Sequence, residues 1–481
     1  MSLDKFRASI ETPDTIQDLQ AGLIGDGTLI PGLFGDVPLV YADYVASGRA
    51  LEQVEDYIRH DVLPFYANSH TEASYCGSFM TRLRNDARAE IAKLTGAGDE
   101  HVVVFTGSGA TTGLNKLVKL LGVDTAANPV VFIGPYEHHS NILPWRESKA
   151  TVIEIPEAAH GGPDLDVLRA KLAEHSAADV KIGSFSAASN VTGIVTDPVP
   201  VTKILKDHGA LSVWDYAGGG PYLEIDMSPC ADAQIDAAVV SPHKFVGGPG
   251  ASGVLILRKD AVTRHAPTSP GGGTVTFVSS WTHEYTQNIS SREEAGTPNV
   301  IGDIRAALAF IVKDVVSQSF ITAREHAVNV QALSAWGGHP QLTLLSGAHV
   351  NRLPIFSFLV SRKNGARFHH QLFTRMLSDI YGIQVRGGCA CAGPYAHALL
   401  KIDEMASAGL LEELRLGNEI NKPGWVRLNF SYLMSDVQVQ FILESVLDLL
   451  NRLEEFEAYY DVDTLTARFS IKQNRTDQLA S

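Results

Sequence analysis

The chain has little cysteine: Cys76, Cys230, Cys389 and Cys391 are the only four in 481 residues. That is too few for a fold stapled by disulfides. It has no apolar run near the ~20 residues that cross a bilayer. Its first residues, MSLDKFRASIETPDTIQDLQ, lack the basic-then-apolar order of a secretory leader. It also lacks a basic excess. Lys and Arg number 39 against 54 Asp and Glu, a formal charge of −15, which argues against nucleic acid or an anionic membrane as the main partner. No repeat or low-complexity block is present. These absences imply a reducing, cytoplasmic setting, with no membrane and no nucleic acid.

What remains is an ordinary globular composition, 45% hydrophobic and 19% charged, in a chain long enough for one large and one smaller domain. After a short helix (DTIQDLQAGLI) and a Gly/Pro-rich connector, VPLVYAD reads as a strand. LEQVEDYIRHDVLPFY and TRLRNDARAEIAKLTG read as helices. From about residue 100, apolar strands (HVVVF, NPVVFIGP, TVIEIP, DVKIGSFSAAS, ALSVWD, IDAAVV, GVLIL) alternate with helices such as ATTGLNKLVKLLG and DLDVLRAKLAEH. That alternation predicts a wound, mostly parallel α/β sheet. Residues 265–300 read as loop and IGDIRAALAFIVKDVV as a long connecting helix. Beyond about 330, LTLLSG, PIFSFLVS, FHHQLFTRMLSDIYG, IQVRGG, WVRLNFSYL and VQFILESVLDLLNRLEEF suggest a separate α+β domain before a polar tail.

In a wound sheet the ligand sits beyond the carboxyl ends of the strands, so the residues that end the apolar runs matter. TGSGATTGLN after HVVVF offers a glycine turn and a helix start, with Thr111 and Thr112 as further donors to a phosphate. YEHHSN after NPVVFIGP carries two histidines, read as metal ligands, a stacking platform or loop residues. Asn190 follows SFSAAS. Asp215 ends ALSVWD, where a carboxylate is costly unless something pairs with it. Ser241, His243 and Lys244 follow IDAAVV. Phosphate donors, an aromatic ring, Asn, Asp and Lys on one rim match the needs of pyridoxal phosphate. The lysine forms the Schiff base, and the acid keeps the pyridine nitrogen protonated.

In order along the chain, YADYVASG, NSH, TGSGATTGLN, EHHSN, SNVTGIV, WDYAGG, SPHK, AGTPN, VRGGCAC and VRLNFSYL resemble the class V aminotransferase-fold family of pyridoxal phosphate enzymes. The resemblance is closest to the cysteine desulfurase and selenocysteine lyase branch. It implies the type I fold of PLP-dependent transferases: a large α/β domain on a mostly parallel seven-stranded type of sheet, plus a smaller α+β C-terminal domain. The expected boundaries are 1–60 (a segment joining the small domain), 61–310 (large cofactor-binding domain), 311–470 (small domain) and 471–481 (polar tail). Lys244 resembles the Schiff-base lysine, Asp215 the pyridinium partner and His138 the ring stacked on the cofactor. Asn190 resembles a contact to the ring or its phenolic oxygen. Ala110, Thr111, Ser241 and His243 resemble the phosphate ligands. Thr297 in AGTPN resembles the threonine that reaches the phosphate from a second subunit, which implies a homodimer. Arg427, with Arg386, resembles the hold on an amino-acid carboxylate, a bidentate task suited to guanidinium. No metal site is expected.

In part of this branch the catalytic cysteine follows an arginine by five residues, as R-x-G-H-H-C. Here Arg386-Gly387-Gly388-Cys389-Ala390-Cys391 puts Cys391 there. GCAC and VRLNFSYL also resemble molybdenum cofactor sulfurases. A loop thiol near a cation can be a reactive thiolate; the plain alternative is a small loop residue, and a C-x-C metal pair with His397 lacks a second ligand pair. Cys76 and Cys230 are read as packing residues. Two departures stand out. Gly218 replaces a glutamine usual after D-x-A, and the stretch between Cys391 and Arg427 is long. The expected function is a cysteine desulfurase-like lyase with a possible sulfur-acceptor protein. The alternatives are a selenocysteine or C–S lyase, an aminotransferase, an isopenicillin-N-type epimerase, or a catalytically silent scaffold or sulfur-relay partner that keeps the fold.

Overall fold

The computed structural model describes residues 3–69, 72–345, 347 and 351–472. His70 of the NSH motif and the polar tail beyond 472 lie outside the described residues. The chain divides into two compact units. One comprises 1–24, 47–189 and 195–322; the other comprises 25–46, 190–194 and 323–481.

The first unit is built on a seven-stranded sheet. Its main elements are α1 (Tyr75–Leu94), β1 (His101–Phe105), α2 (Ala110–Leu120), β2 (Pro129–Ile133), β3 (Thr151–Glu154), α3 (Leu165–Glu174), β4 (Val180–Ser186), α4 (Pro198–Asp207), β5 (Leu211–Asp215), β6 (Ala237–Val240), β7 (Val254–Arg258) and α5 (Val300–Val316). The order across the sheet is β1-β7-β6-β5-β4-β2-β3, with β7 antiparallel to both neighbours and the other pairs parallel. The central strands read as unbroken apolar runs because helices cover both faces. On one face Leu114, Leu117 and Leu120 of α2 pack with Val131, Val213, Val239 and Leu255. Burying each leucine contributes about 2 kcal/mol. Gly113 lets α2 lie close, since a Cβ there would sit 2.8 Å from Val239 Cγ1.

LEQVEDYIRHDVLPFY is helical only in stages. Its α-helix covers Glu52–Tyr57 and then loosens into a π-turn at Ile58–Val62 and a 3-10 turn at Leu63–Phe65. Pro64, which has no N–H to donate, lies where the regular ladder has ended. Within the expected loop 265–300, Val275–Val278 and His283–Tyr285 form a hairpin. No helix among the described residues is long and apolar enough to cross a membrane.

The second unit holds a four-stranded sheet, β8 (Leu342–Leu344), β9 (Ile355–Val360), β10 (Arg386–Gly388) and β11 (Trp425–Asn429), ordered β8-β9-β11-β10 and antiparallel throughout. Helix α6 (His370–Tyr381) precedes β10. Helices α7 (Gly393–Leu400) and α8 (Glu404–Arg415) fill the long stretch after Cys391, and α9 (Asp436–Asn451) follows β11. Phe356, Phe358, Trp425 and Leu428 are buried in its core. IQVRGG is not one strand. Ile383–Gln384 pairs in parallel with Val40–Tyr41, whereas Arg386–Gly388 pairs with β11. The 25–46 segment is thereby strapped to this unit, and Asp43 bridges to Asn429.

Candidate active site

In the first unit, the strand ends carry one polar cluster. Gly109 is the N-cap of α2 with no side-chain cap, so the helix start is left to backbone N–H groups. One of these, Ala110 N–H, donates to Ser241 Oγ at 3.0 Å. Gly109 has φ +143, and a Cβ there would lie 3.0 Å from His243 Cε1 and 3.1 Å from Ser241 Oγ. Gly253, at the entry to β7, would drive a Cβ to 2.6 Å from the Gly109 backbone. The glycines of GGPGASG therefore let β7 pass close behind the α2 start. Thr111 Oγ1 bonds Ser140 Oγ at 2.7 Å, and Ser140 Oγ lies 3.0 Å from His138 Nδ1. The structure thus brings Ala110, Thr111, Ser241, His243 and, through Ser140, His138 together.

Asp215 ends β5 fully buried. Its Oδ1 accepts from Ala217 N–H at 2.7 Å. Burial pushes its pKa up; that bond and the Lys244 charge pull it down. Such a carboxylate favours a cationic N–H partner. Lys244 closes a short 3-10 turn, Pro242–Lys244, directly after β6. Burial, then the Lys244 charge, lowers the His243 pKa to about 4, so this ring is neutral near pH 7. A glycine-lined helix start, hydroxyls, a buried acid and a strand-end lysine fit the donor set that pyridoxal phosphate requires. Thr297 lies exposed in the loop before α5 and has no hydrogen bond to this cluster among the described residues.

Two residues behind the cluster escaped the sequence reading. Glu137 is buried, and its Oε1 accepts from Ser186 N–H at 2.8 Å while Oε2 accepts from Ser186 Oγ at 2.6 Å and from Asn141 Nδ2. Burial, moderated by these bonds and aided by the Asp215 charge, raises its pKa to about 7. Asn141 accepts in turn from Trp145 Nε1 at 3.1 Å. This buried network braces the turn that carries His138. A charge four residues past an apolar strand, in GPYE, was the available signal.

The second unit assembles a different group. Arg427, on β11, is 3% exposed. It donates through Nη2 to Asp43 Oδ1 at 2.8 Å and through Nη1 to the Asn190 carbonyl at 3.0 Å. Its buried Nε has no partner among the described residues. Arg386 is opposite Arg427 in the β10–β11 register and donates from Nε to Asp43 Oδ2 at 3.1 Å. Asp43, the other residue missed, therefore holds both guanidiniums. Asn190 Nδ2 donates to the Ala390 carbonyl at 2.8 Å, and its buried Oδ1 is unpartnered among the described residues. Cys391 is an exposed free thiol and Cys389 a half-buried one. The Cys391 charge is among those acting on Arg427, whose pKa burial lowers. His397 bonds Gly393 O and Ser407 Oγ. No group of three metal-binding side chains occurs among the described residues.

Comparison with known proteins places this geometry. The family model described as Aminotransferase class-V matches residues 40–418. A probable cysteine desulfurase of Vibrio cholerae is 30% identical over 366 residues, 75% of this chain and 86% of the relative. One from Halalkalibacterium halodurans is 27% identical over 366 residues, 74% of this chain and 85% of the relative. Among solved structures, the apo cysteine desulfurase of Thermococcus onnurineus aligns with a TM-score of 0.72 at 23% identity, covering 90% of this chain and 98% of that one. An Escherichia coli cysteine desulfurase aligns with a TM-score of 0.67 at 22% identity, covering 94% and 99%. These two show the fold.

Proposed function

Because the chain belongs to the aminotransferase class-V family, whose enzymes depend on pyridoxal phosphate, we propose that it is a cysteine desulfurase, taking sulfur from L-cysteine and releasing alanine. The observation that carries this reading is Cys391, an exposed thiol held on a turn by Asn190 and within electrostatic range of Arg427.

When bound, the cofactor supplies a carbonyl that condenses with amines and a ring that accepts the electron pair left by a departing α-proton. Lys244 would be its covalent anchor, and its Nζ would be the base for the substrate's α-proton. Asp215 would keep the ring nitrogen protonated, and the low-dielectric site would strengthen that pairing. The α2 start at Ala110, with Thr111, Ser241 and His243, would hold the phosphate, neutral His243 serving as a polar ligand rather than a cation. His138 would lie against the ring, with Glu137 and Asn141 fixing its turn. By the family resemblance, Asn190 would contact the ring or its phenolic oxygen. Gly218 offers no side chain for that task.

The substrate carboxylate is held by Arg427 and Arg386, which Asp43 sets side by side. Cys391 thiolate then attacks the substrate sulfur. The new S–S bond forms as the carbon–sulfur bond breaks; that bond's electron pair stays with the substrate's β-carbon, which takes up a proton on the way to alanine, and a persulfide is left on Cys391. Exposure of Cys391 suits delivery to an acceptor protein's thiol. Members of this family commonly dimerise, and in a homodimer the exposed Thr297 reaches the neighbouring subunit's phosphate.

The test is a product assay with L-cysteine and L-selenocysteine. Wild type is expected to yield alanine from cysteine, its sulfur passing through Cys391 and recovered as persulfide or released sulfide, and Cys391→Ser to lose the alanine and that sulfur together. Full-rate alanine and sulfide from Cys391→Ser refutes the mechanism. Pyruvate with ammonia indicates β-elimination instead, and inversion at the α-carbon an epimerase.

A further inference from the structure

Cys389 and Cys391 sit on one tight turn. Ala392 N–H donates to the Cys389 carbonyl at 3.3 Å, closing the four residues Cys389 to Ala392. The two central residues, Ala390 and Cys391, have φ of 54° and 56°. A turn left-handed at both central positions is normally built from Gly, Asn or Asp. Here alanine and cysteine occupy it, and Asn190 Nδ2 clamps the Ala390 carbonyl from outside. Two residues of fully extended chain place their Cα atoms about 7 Å apart. Folding the chain back into a turn shortens that separation into the range of about 4.4–6.8 Å that a disulfide spans. Both thiols are free. The proposed reaction assigns a task to Cys391 and none to Cys389.

We propose that Cys389 is a second catalytic thiol, which resolves the persulfide formed on Cys391 and releases its outer sulfur as hydrosulfide. This rests on the desulfurase reading for the origin of the persulfide. Cys389 thiolate attacks Cys391 Sγ, and a Cys389–Cys391 bond forms. The bond from Cys391 Sγ to the outer sulfur breaks, and the outer sulfur leaves with the electron pair as HS⁻. The sulfane sulfur is reduced by two electrons while the two cysteines are oxidised to a disulfide. A dithiol reductant, a small molecule or a small redox protein, returns two electrons and two protons and restores both thiols. A disulfide closed across one intervening residue is strained, and strained disulfides are the readily reduced ones. The chain thereby gains a sulfide-releasing activity driven by a dithiol, in competition with transfer to an acceptor.

The experiment gives the holoenzyme one equivalent of L-cysteine, with no reductant and no acceptor. Alanine and sulfide are measured, and the peptide bearing both cysteines is analysed by mass spectrometry after alkylation. Wild type is expected to show sulfide matching alanine, with that peptide lacking two hydrogens and refusing alkylation. Cys389→Ser and Cys389→Ala are expected to stop at a Cys391 persulfide, with sulfide release down about tenfold or more. If wild type instead keeps the persulfide while Cys389 is alkylated, or if the variants release sulfide at the wild-type rate, the inference is overturned. Apoprotein charged with inorganic polysulfide is read in the same way. Closure of the disulfide there, in a protein that makes no alanine from cysteine, sinks the desulfurase reading and leaves the thiol pair standing. A persistent persulfide there sinks the thiol pair alone.

Discussion

Replacing Glu137 by glutamine removes a charge but keeps the shape, and the surrounding bonds set the cost of the exchange. Oε1 receives Ser186 N–H, and Oε2 receives Asn141 Nδ2 as well as Ser186 Oγ. Asn141 cannot turn its amide, because its Oδ1 already accepts from Trp145 Nε1 and Ser184 Oγ. Each carboxyl oxygen therefore faces an N–H donor. A carboxylate satisfies both. A carboxylic acid does too, since protonated Oε2 donates to Ser186 Oγ and still accepts from Asn141. A glutamine amide must set its NH2 against one of these donors, which costs about 1–3 kcal/mol at any pH. The wild-type penalty depends on pH. The pKa rises from 4.5 to about 7 on folding, so the stabilising contribution is complete below 4.5 and is lost as pH climbs through 7. At about 1.4 kcal/mol per unit, the loss amounts to roughly 3 kcal/mol in all, of which about 2 kcal/mol falls between about pH 5 and 8. Urea unfolding of both proteins across that interval measures the difference, and titrations common to both cancel. Glu137→Gln is expected to be clearly the less stable near pH 5, with the gap closing by about 2 kcal/mol near pH 8. A gap that stays constant with pH refutes the reasoning, because it means Glu137 folds ionised.

Asp43→Asn leaves the buried Arg427 without its carboxylate; a loss of about 3–5 kcal/mol in unfolding free energy is expected, and an unchanged urea midpoint contradicts it. Gly109→Ala puts a methyl against His243 and Ser241 at a φ of +143°. Cofactor retention on dialysis should fall about tenfold, a cost of about 1.4 kcal/mol at the phosphate site; full retention argues against the α2 start as the cradle. Lys244→Ala should bind cofactor that borohydride cannot fix to the chain, and a fixed cofactor in that variant places the anchor elsewhere.

The wound sheet was legible because strands buried on both faces are written as apolar runs, and Asp215 and Lys244 were legible because each interrupts or follows such a run. The features that escaped depend on partners distant in sequence. Asp43 stands inside the quoted YADYVASG, yet its meaning comes from Arg427, 384 residues away. IQVRGG carries one apolar pattern but serves two partners, Val40–Tyr41 and β11, and only the strap formed by 25–46 decides where the strand breaks. Asn190 makes the point most clearly. It follows the SFSAAS run, four residues past the end of β4, and reads as a strand-end residue facing the cofactor. In the fold, residues 190–194 group with the second unit; the Asn190 side chain clamps Ala390 and its carbonyl takes Arg427. One short segment therefore sets both the turn that presents the thiols and the arginine assigned to the carboxylate. Asn190→Ala should disturb cysteine chemistry and substrate affinity together. A loss confined to cofactor binding would return Asn190 to the simpler role that its place in the sequence suggested.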